Sequence, residues 1–281
     1  MEKFVLITGA SSGLGKKTAI TLAQNGYTVF AGVRKEEDKT RIEAENTNIT
    51  AVIIDVTDKE SIQKAFETIK AVTTELDALI NNAGIALAGP VEFLPQEVLK
   101  KQFDVNVYGA INVAQQFLPM LKKGKIINLS SMASFGMFPF VSPYCASKRA
   151  LDIFFNALLL ECKLPDLQVI SIKPGVVKTE IWDKSIDTCE KILENMPESA
   201  KEKYHKEYEF LSSNAKKNND KGLEPQAVAN LILKVMNTKH PKLSYTIGTD
   251  AKLTELYSCL PLRLTNFITK LMFKKRVNKN I

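Results

Sequence analysis

The sequence is poor in the residues that most often bind metals or form disulfides. It has four widely spaced cysteines without a C-x-x-C pair and two isolated histidines: Cys145, Cys162, Cys189, Cys259, His205 and His240. A chain of 281 residues can bury enough apolar surface to be stable without disulfides. We therefore expect reduced thiols, no metal site and no catalytic role for either histidine.

A secretory leader is also missing from the sequence. The chain enters the apolar stretch 4–7 almost at once, without a basic segment, a long apolar run or a small-residue cleavage site before it. This pattern is unlike a signal peptide, so we expect a cytoplasmic protein.

A continuous basic stripe is absent before the tail. Lysine and arginine exceed aspartate and glutamate by 38 to 31, but the two signs are mixed, as at 35–39. This distribution argues against nucleic-acid binding. The net charge of +7 instead suits a phosphorylated cofactor or an anionic membrane surface.

Short β-rich segments alternate with longer segments of helical periodicity. Six of the short segments have the composition of strands: 4–8, 28–33, 51–54, 78–80, 125–129 and 168–172. Repeated β-α alternation produces parallel strands joined by right-handed crossovers. The sequence therefore predicts an α/β fold with one doubly wound, mainly parallel sheet and helices on both faces. Ligands of such sheets bind at the carboxyl ends of the strands.

We predict one domain over residues 1–250, followed by a basic helical extension at 251–281. A long helix should span 142–162, because Pro143 lies near its first turn and apolar residues follow at helical spacing. The alternation stops at 180–223, where a Lys- and Glu-rich helical insertion should form a substrate loop. A helix near 225–236 and a strand near 243–247 complete the predicted sheet.

A glycine-rich turn follows the first predicted strand. Gly9, Gly13 and Gly15 lie between this strand and a segment of helical periodicity. Glycine permits a tight turn and lets backbone N–H groups approach a pyrophosphate at the amino terminus of a helix. The position favours a dinucleotide site, and the alternative is a tight β-α turn without a ligand.

Further motifs follow in an order and spacing that resemble those of the classical short-chain dehydrogenases/reductases, over about residues 3–179. They are TGASSGLG at 8–15, an aspartate at 55, NNAG at 81–84 and a Pro-Gly pair at 174–175. The resemblance implies a Rossmann-type domain that binds a nicotinamide cofactor, with the aspartate near adenine and the segment after the Pro-Gly pair near the nicotinamide amide. It assigns these cofactor-binding residues: Gly9, Ser11, Ser12, Gly13, Leu14, Gly15, Asp55, Val56, Asn82, Ala83, Gly84, Pro174, Gly175, Val177 and Thr179.

The same resemblance identifies a catalytic set. Tyr144 and Lys148 are four residues apart, so both project from one face of the long predicted helix. The resemblance implies that Tyr144 is the general acid/base and that Lys148 also binds the nicotinamide ribose. It implies that Ser131 orients the substrate oxygen and that Asn106 anchors a water linked to Lys148. Ser130 is the rival to Ser131, which we prefer for its thirteen-residue offset to Tyr144.

The proposed chemistry requires a perturbed tyrosine. A free tyrosine has a pKa of about 10 and is a weak base at neutral pH. Lowering this pKa by about three units takes roughly 4 kcal/mol, more than an exposed ion pair provides. We therefore expect Lys148 and the oxidised nicotinamide to act together in a poorly solvated site, favouring the phenolate of Tyr144.

Three functions compete for the whole protein. An oxidoreductase that interconverts an alcohol with a ketone or aldehyde uses the complete catalytic set. A nonenzymatic cofactor sensor would be expected to have a broken set, and a membrane-attached structural protein explains only the basic tail. We favour the enzyme, and on resemblance alone we expect a homodimer or homotetramer.

The loops expected at the strand ends indicate a lipophilic substrate. Residues 85–88 and 132–141, which include Phe138, contain no charge, and apolar walls suit a bulky hydrophobic alcohol. The alternative is that these side chains fill structural gaps. The stretches 144–148 and 245–252 look similar to the steroid and retinoid dehydrogenase branch. A hydroxysteroid or ketosteroid is the first choice, and retinal or a long-chain aldehyde is the second.

The tail at 261–276 is predicted to form an amphipathic helix. One cluster is apolar (Leu264, Phe267, Ile268, Leu271, Met272), and the basic residues remain available to water (Arg263, Lys270, Lys274, Lys275, Arg276). Its apolar run is too short to span a bilayer. We weigh three roles: covering the substrate pocket, contacting another subunit, and resting on an anionic membrane.

The end of the second strand predicts a preference for NADP(H) over NAD(H). NAD sites usually place a carboxylate there for the adenosine ribose, whereas this chain has Arg34. Arg34 can donate charge-assisted hydrogen bonds to a 2′-phosphate, and Ser12 can add a hydroxyl. The alternative is that Arg34 stacks on the adenine of either cofactor.

Overall fold

The structure is a computed structural model that describes residues 2–179, 181, 190–192 and 194–279. Cys189 and part of the predicted insertion at 180–223 lie outside these residues. Seven strands form one sheet in the order β3-β2-β1-β4-β5-β6-β7, and each pairing is parallel. They are β1 (Lys3–Ile7), β2 (Tyr27–Val33), β3 (Ile49–Ile53), β4 (Ala78–Asn81), β5 (Lys125–Leu129), β6 (Gln168–Pro174) and β7 (Ser244–Ile247).

The sheet confirms the predicted α/β fold, and each predicted strand is present to within two residues at its ends. The helices are α1 (Gly13–Gln24), α2 (Glu36–Glu43), α3 (Lys59–Lys70), α4 (Gln96–Phe103), α5 (Ala110–Phe117), α6 (Ser142–Glu161), α7 (Glu198–Lys221), α8 (Pro225–Met236), α9 (Thr249–Ser258) and α10 (Leu262–Lys279). A π-helical turn, Asp104–Gly109, joins α4 to α5. None of the described helices combines the length and apolar character needed to cross a bilayer.

The sheet is buried on both faces because its strands are apolar in nearly continuous runs. Along β1, Val5 and Ile7 point into one apolar cluster with α1 and α8, whereas Leu6 points into a second cluster with α3, α5 and α6. All three side chains are fully buried. The helices therefore lie on both faces of the sheet, and the strand ends are where ligands of such a sheet bind.

The strand order reverses between β1 and β4, so the crevice at their carboxyl ends is the expected ligand site of such a sheet. Polar residues occupy neighbouring register positions near this edge: Asn81 of β4 pairs with Asn128 of β5, which pairs with Ser171 of β6. The Asn81 Nδ2 donates to the Asn128 Oδ1 at 2.9 Å. The apolar interior thus becomes polar just below the candidate site.

Lys125 links the start of β5 to the end of α8. Its Nζ donates to the carbonyl oxygens of Val235, Met236 and Thr238 at 3.2, 2.6 and 2.9 Å. Lys125→Met should therefore lower the free energy of unfolding by about 2 kcal/mol, because three carbonyls at a helix carboxyl terminus lose their cation. Urea unfolding measures this, with the exposed Lys122→Met as control. Equal stability of the two variants would contradict the prediction.

Candidate active site

The glycine turn between β1 and α1 has the shape of a phosphate cradle. Gly9 and Gly13 have φ of 67° and 54°, a region that glycine enters without a steric penalty. A Cβ on Gly9 would lie 2.9 Å from the Ala83 Cα, so the backbones of two strand ends approach closely here. No acidic side chain lies in the first turn of α1, and the Ser12 side chain does not cap it. The amino terminus of α1 is therefore suited to an anion.

Asn82 and Thr8 hold this turn in place. The Asn82 Nδ2 donates to the carbonyl oxygens of Thr8 and Gly9 at 2.8 and 2.9 Å. The Thr8 Oγ1 accepts from the backbone N–H groups of Asn82 and Ala83. The Asn82 side chain is thus directed at the protein, and it contributes to a cofactor site by fixing the turn.

Arg34 and Asp55 lie at the carboxyl ends of the neighbouring strands β2 and β3. Arg34 is exposed, and it has no ion-pair partner among the described residues. The Asp55 Oδ1 accepts from the backbone N–H and the hydroxyl of Thr57 at 2.9 and 2.7 Å. The following residue, Val56, is buried against Gly109. An adenosine group at this edge would meet Arg34 from one strand and the Asp55 loop from the next.

The segment after β6 closes over the glycine turn. A Cβ on Gly13 would lie 3.4 Å from the Thr179 Cγ2, and Val177 forms a parallel bridge with Leu223. Asp250 at the start of α9 accepts from the Val176 N–H at 2.8 Å. Its carboxylate occupies the space beside Gly175, where a side chain would clash. Asp250 therefore positions the 174–179 segment, a role that the sequence analysis did not assign.

Ser131 and Tyr144 line the same cavity, whereas Ser130 does not. Ser131 precedes the 3₁₀ turn Met132–Ser134, and its Oγ accepts from the Ala133 N–H at 3.1 Å. Burial raises the pKa of Tyr144 to about 12, partly opposed by a hydrogen bond with Ser131. Ser130 is buried, and its backbone N–H donates to the Ile172 carbonyl. The geometry therefore favours Ser131 over Ser130 as the substrate contact.

Lys148 lies one helical turn beyond Tyr144 and is buried. Its Nζ donates to the Leu129 carbonyl at 2.6 Å and lies 5.7 Å from the centroid of the Tyr144 ring. Burial lowers the pKa of Lys148 to about 8, an effect that the nearby Asp152 opposes. Lys148 alone thus does not bring the pKa of Tyr144 below its ordinary value. The lowering that we expected from the sequence depends on a further positive charge, as the oxidised nicotinamide would supply.

Asn106 lies in the π-helical turn and holds the loop after β4. Its Oδ1 accepts from the Ile85 N–H at 2.8 Å, and its Nδ2 donates to the Ile85 carbonyl and the Ser147 Oγ. A Cβ on Gly84 would lie 3.4 Å from the Asn106 Oδ1 and 3.5 Å from the Lys148 Nζ. Asn106 is thus next to Lys148 across Gly84, with its amide engaged by protein groups.

A cavity of about 1120 Å³ opens above Tyr144. Phe138 and its neighbours in the 131–141 loop form one wall, and residues of α7, α9 and α10 form the opposite wall. The aromatic ring of Phe140 packs against Tyr204 of α7 and stacks on Phe273 of α10, with centroids 5.5 and 5.7 Å apart. The C-terminal helix therefore covers the cavity, which was the first of its three expected roles.

Comparison with known proteins identifies the family. A family model described as short chain dehydrogenase matches residues 3–190. This chain belongs to the short-chain dehydrogenase family. It is 35% identical over 270 residues to YusZ, an oxidoreductase of Bacillus subtilis, which covers 92% of this chain and 94% of that protein. An NADPH-dependent 3-dehydrocapnine reductase from Ornithobacterium rhinotracheale is 36% identical, with 65% of this chain and 68% of that protein covered.

Solved structures agree on the fold. A short-chain dehydrogenase from Streptomyces avermitilis has a TM-score of 0.76 at 22% identity, over 100% of this chain and 98% of that one. The family model and the curated relatives, rather than these structures, identify the chain as an NAD(P)-dependent oxidoreductase that acts on a CH–OH group or its carbonyl counterpart.

This short-chain dehydrogenase also contains a buried ion pair beneath Lys148. Asp152 lies one turn beyond Lys148 on α6, and its carboxylate is 2.9 Å from the Nζ of Lys173 on β6. It also accepts from the Ser171 Oγ at 2.9 Å. Lys173 lies 4.3 Å from the centroid of the Phe135 ring, in the turn behind the cavity wall. The sequence analysis did not predict this ion pair. Lys173 lies inside the apolar strand β6, and a buried charge of this kind requires a buried partner, so its position was a usable signal.

Asp152→Asn should lower kcat/KM for reduction at neutral pH by up to about tenfold. Asp152 raises the pKa of Lys148, so its loss leaves less of this lysine protonated beside Tyr144. Lys148 loses its proton as the pH rises through about 8, so the wild-type kcat/KM should decline above that pH. In Asp152→Asn the decline should begin at a lower pH.

The single variant also leaves Lys173 buried without a partner, which costs about 3–5 kcal/mol of stability. The double variant Asp152→Asn/Lys173→Met removes both charges, so it should regain stability while keeping the shifted pH profile. A wild-type pH profile in both variants would show that Asp152 affects stability alone.

Proposed function

We propose that this protein is an NADP(H)-dependent oxidoreductase that interconverts a lipophilic alcohol and its ketone or aldehyde. One observation carries the proposal: the hydroxyl-bearing residues Ser131 and Tyr144 lie in the wall of a large cavity whose other walls are mostly apolar. A carbonyl placed between the two hydroxyls would have one group to orient it and one to exchange a proton with it.

The size and lining of the cavity support a bulky substrate. Its volume of about 1120 Å³ is at the upper end for small-molecule sites, which usually measure about 300–1,000 Å³. Apolar lining residues come from the loop after β5 and from the helices α7, α9 and α10: Met132, Met137, Phe138, Phe210, Leu253, Met272 and Phe273. A hydroxysteroid or ketosteroid is our first choice, in line with the resemblance to the steroid and retinoid branch. Retinal or a long-chain aldehyde is the second.

The residues have distinct roles in the proposed reaction. Tyr144 is protonated at neutral pH, because a tyrosine has an ordinary pKa of about 10 and burial raises it further, so it can donate this proton to the substrate oxygen during reduction. Ser131 orients the same oxygen by a hydrogen bond. A protonated Lys148 makes the phenol of Tyr144 a stronger acid, and Asn106 fixes the loop at Gly84 beside Lys148. The nicotinamide, when bound, supplies or accepts the hydride at the carbon.

The carboxyl edge of the sheet fits a dinucleotide. The glycine turn and the amino terminus of α1 would hold the pyrophosphate. Asp55 and Val56 would flank the adenine, and the 174–179 segment would lie along the nicotinamide. Arg34 would donate hydrogen bonds to a 2′-phosphate, since it is exposed and has no ion-pair partner in the part of the chain that the structure describes. The similarity to a reductase described as NADPH-dependent supports this choice.

Tyr144→Phe should lower kcat by about 100-fold to 10,000-fold, because the variant lacks the proton donor but keeps the packing of the ring. Cofactor absorbance reports turnover with a panel of ketosteroids, retinal, long-chain aldehydes, small sugars and hydroxy acids. Affinity for NADPH, measured by fluorescence titration, should stay within a few-fold of wild type. Lys148→Ala should impair both turnover and NADPH binding.

Two results would contradict the proposal at different points. Activity of Tyr144→Phe near the wild-type level would remove Tyr144 from the chemistry. Wild-type turnover confined to small sugars or hydroxy acids would leave the chemistry intact but refute the lipophilic substrate.

Wild type should favour NADPH over NADH by about tenfold to 100-fold in kcat/KM, from about 1.5–3 kcal/mol of charge-assisted hydrogen bonding. Arg34→Ala should abolish this preference, so that kcat/KM becomes similar with the two cofactors. Arg34→Asp should reverse the preference, because the carboxylate repels the 2′-phosphate. Val33 is 1% exposed and belongs to the core, so Arg34 is the residue at which to introduce the carboxylate.

Lys39→Ala serves as the control, since it removes a positive charge from α2 rather than from the end of β2. A wild-type preference for NADH, or an unchanged ratio in Arg34→Ala, would refute the phosphate contact.

A further inference from the structure

The C-terminal helix α10 is apolar on two opposite faces. Its inner face carries residues four positions apart: Thr265, Thr269, Phe273 and Val277. Thr265 and Val277 are buried, and Phe273 also meets the ring of Phe210 on α7 at 5.7 Å. The protein thus covers much of the inner face, since Thr269 and Phe273 are half-buried.

The outer surface of α9, α10 and their connection is a second apolar region, which we call the outer patch. Eight large apolar side chains in it are between 39% and 70% exposed: Leu253, Leu256, Leu260, Leu262, Leu264, Phe267, Leu271 and Met272. The end of α9 contacts α10, since the Tyr257 hydroxyl on α9 hydrogen-bonds the Thr269 Oγ1 on α10 at 2.8 Å. Contiguous apolar surface of this kind marks an interaction site.

The chain around the outer patch is strongly basic. Residues 256–281 contain no acidic residue and six basic ones, Arg263, Lys270, Lys274, Lys275, Arg276 and Lys279, whereas the whole protein has a net charge of +7. The rest of the molecule is therefore close to neutral. Arg263, Lys270 and Lys274 are exposed and flank the apolar side chains of α10.

We propose that the outer patch docks on an anionic lipid bilayer. Leucine, phenylalanine and methionine would enter the boundary between headgroups and acyl chains, while the flanking lysines and arginines would contact anionic headgroups. A second copy of this chain suits the outer patch less well. A two-fold contact would place the basic residues of one copy against the same basic residues of the other, and these would repel each other. The exposed apolar residues Ile153 and Phe154 of α6 form a separate candidate surface for contact between subunits.

The outer patch lies next to the cavity, so docking would bring the cavity close to the bilayer. This inference about substrate entry rests on the proposed function. Leu253 and Met272 belong to the outer patch and also line the cavity above Tyr144. The cavity wall therefore continues into the docking surface. A lipophilic substrate dissolved in the bilayer can enter between α9 and α10 without crossing water.

Vesicle flotation without substrate or cofactor tests the docking. The wild-type protein should bind vesicles of phosphatidylcholine mixed with phosphatidylglycerol, bind phosphatidylcholine alone much more weakly, and dissociate at high salt. Phe267→Gln/Leu271→Gln should lower the affinity at least tenfold, since both side chains are exposed and neither lines the cavity. Lys270→Gln/Lys274→Gln should lower it by about 25-fold, about fivefold per charge.

Matched controls remove equivalent groups elsewhere. Val72→Gln/Val91→Gln removes two exposed valines, and Lys59→Gln/Lys64→Gln removes two exposed lysines from α3; both should bind vesicles like wild type. The Phe267/Leu271 variant should raise KM for a vesicle-embedded substrate but leave kcat/KM for a short soluble ketone unchanged.

Three results would overturn the docking proposal. They are the absence of wild-type binding to anionic vesicles, equal losses in patch and control variants, and a change of subunit number in the patch variants, seen by light scattering, without vesicle binding. Vesicle binding by a protein that turns over no carbonyl compound would instead refute the proposed function and leave the docking surface in place.

Discussion

The hydrogen bonds between Asn82 and the turn after β1 hold together the strand ends on which the site depends. They fix β1 against β4 where the strand order reverses, and the glycine turn takes its shape from this contact. The chain after Asn82 then passes next to Asn106 and Lys148, since a Cβ on Gly84 would lie in van der Waals contact with both. One close approach of two backbones thus positions the candidate phosphate-binding turn near Lys148.

Burial acts in opposite directions on the two central titratable groups. It raises the pKa of Tyr144 and lowers that of Lys148, so both groups are driven towards their neutral forms. Asp152 counteracts this effect at Lys148, and it also pairs with Lys173 at 2.9 Å. The ion pair and Lys148 therefore form one electrostatic unit, in which three ionisable groups share a buried volume between α6 and β6.

The sequence predicted those features that depend on neighbouring residues. Strand positions, the glycine turn and the pairing of Tyr144 with Lys148 all follow from local composition and helical spacing. Contacts between distant segments were not accessible in this way. Asp250 lies 74 residues beyond the Val176 N–H that it accepts from, and Lys173 lies 21 positions beyond Asp152. No local sequence pattern predicts which strand end a distant carboxylate of this kind will contact.

The C-terminal helix shows how a correct pattern can leave the orientation open. Its apolar cluster was predicted from spacing, but in the structure Leu264, Phe267 and Leu271 of this cluster point outward. The opposite, inner face, which contains Phe273, packs against the protein. The inner stripe contains two threonines, which hydropathy alone places on the outside. One of them, Thr269, hydrogen-bonds Tyr257 of α9, so the inner face includes a polar contact. This orientation of α10 also exposes the more apolar stripe next to the cavity. A single orientation of the helix therefore both covers the cavity and places apolar side chains around its opening.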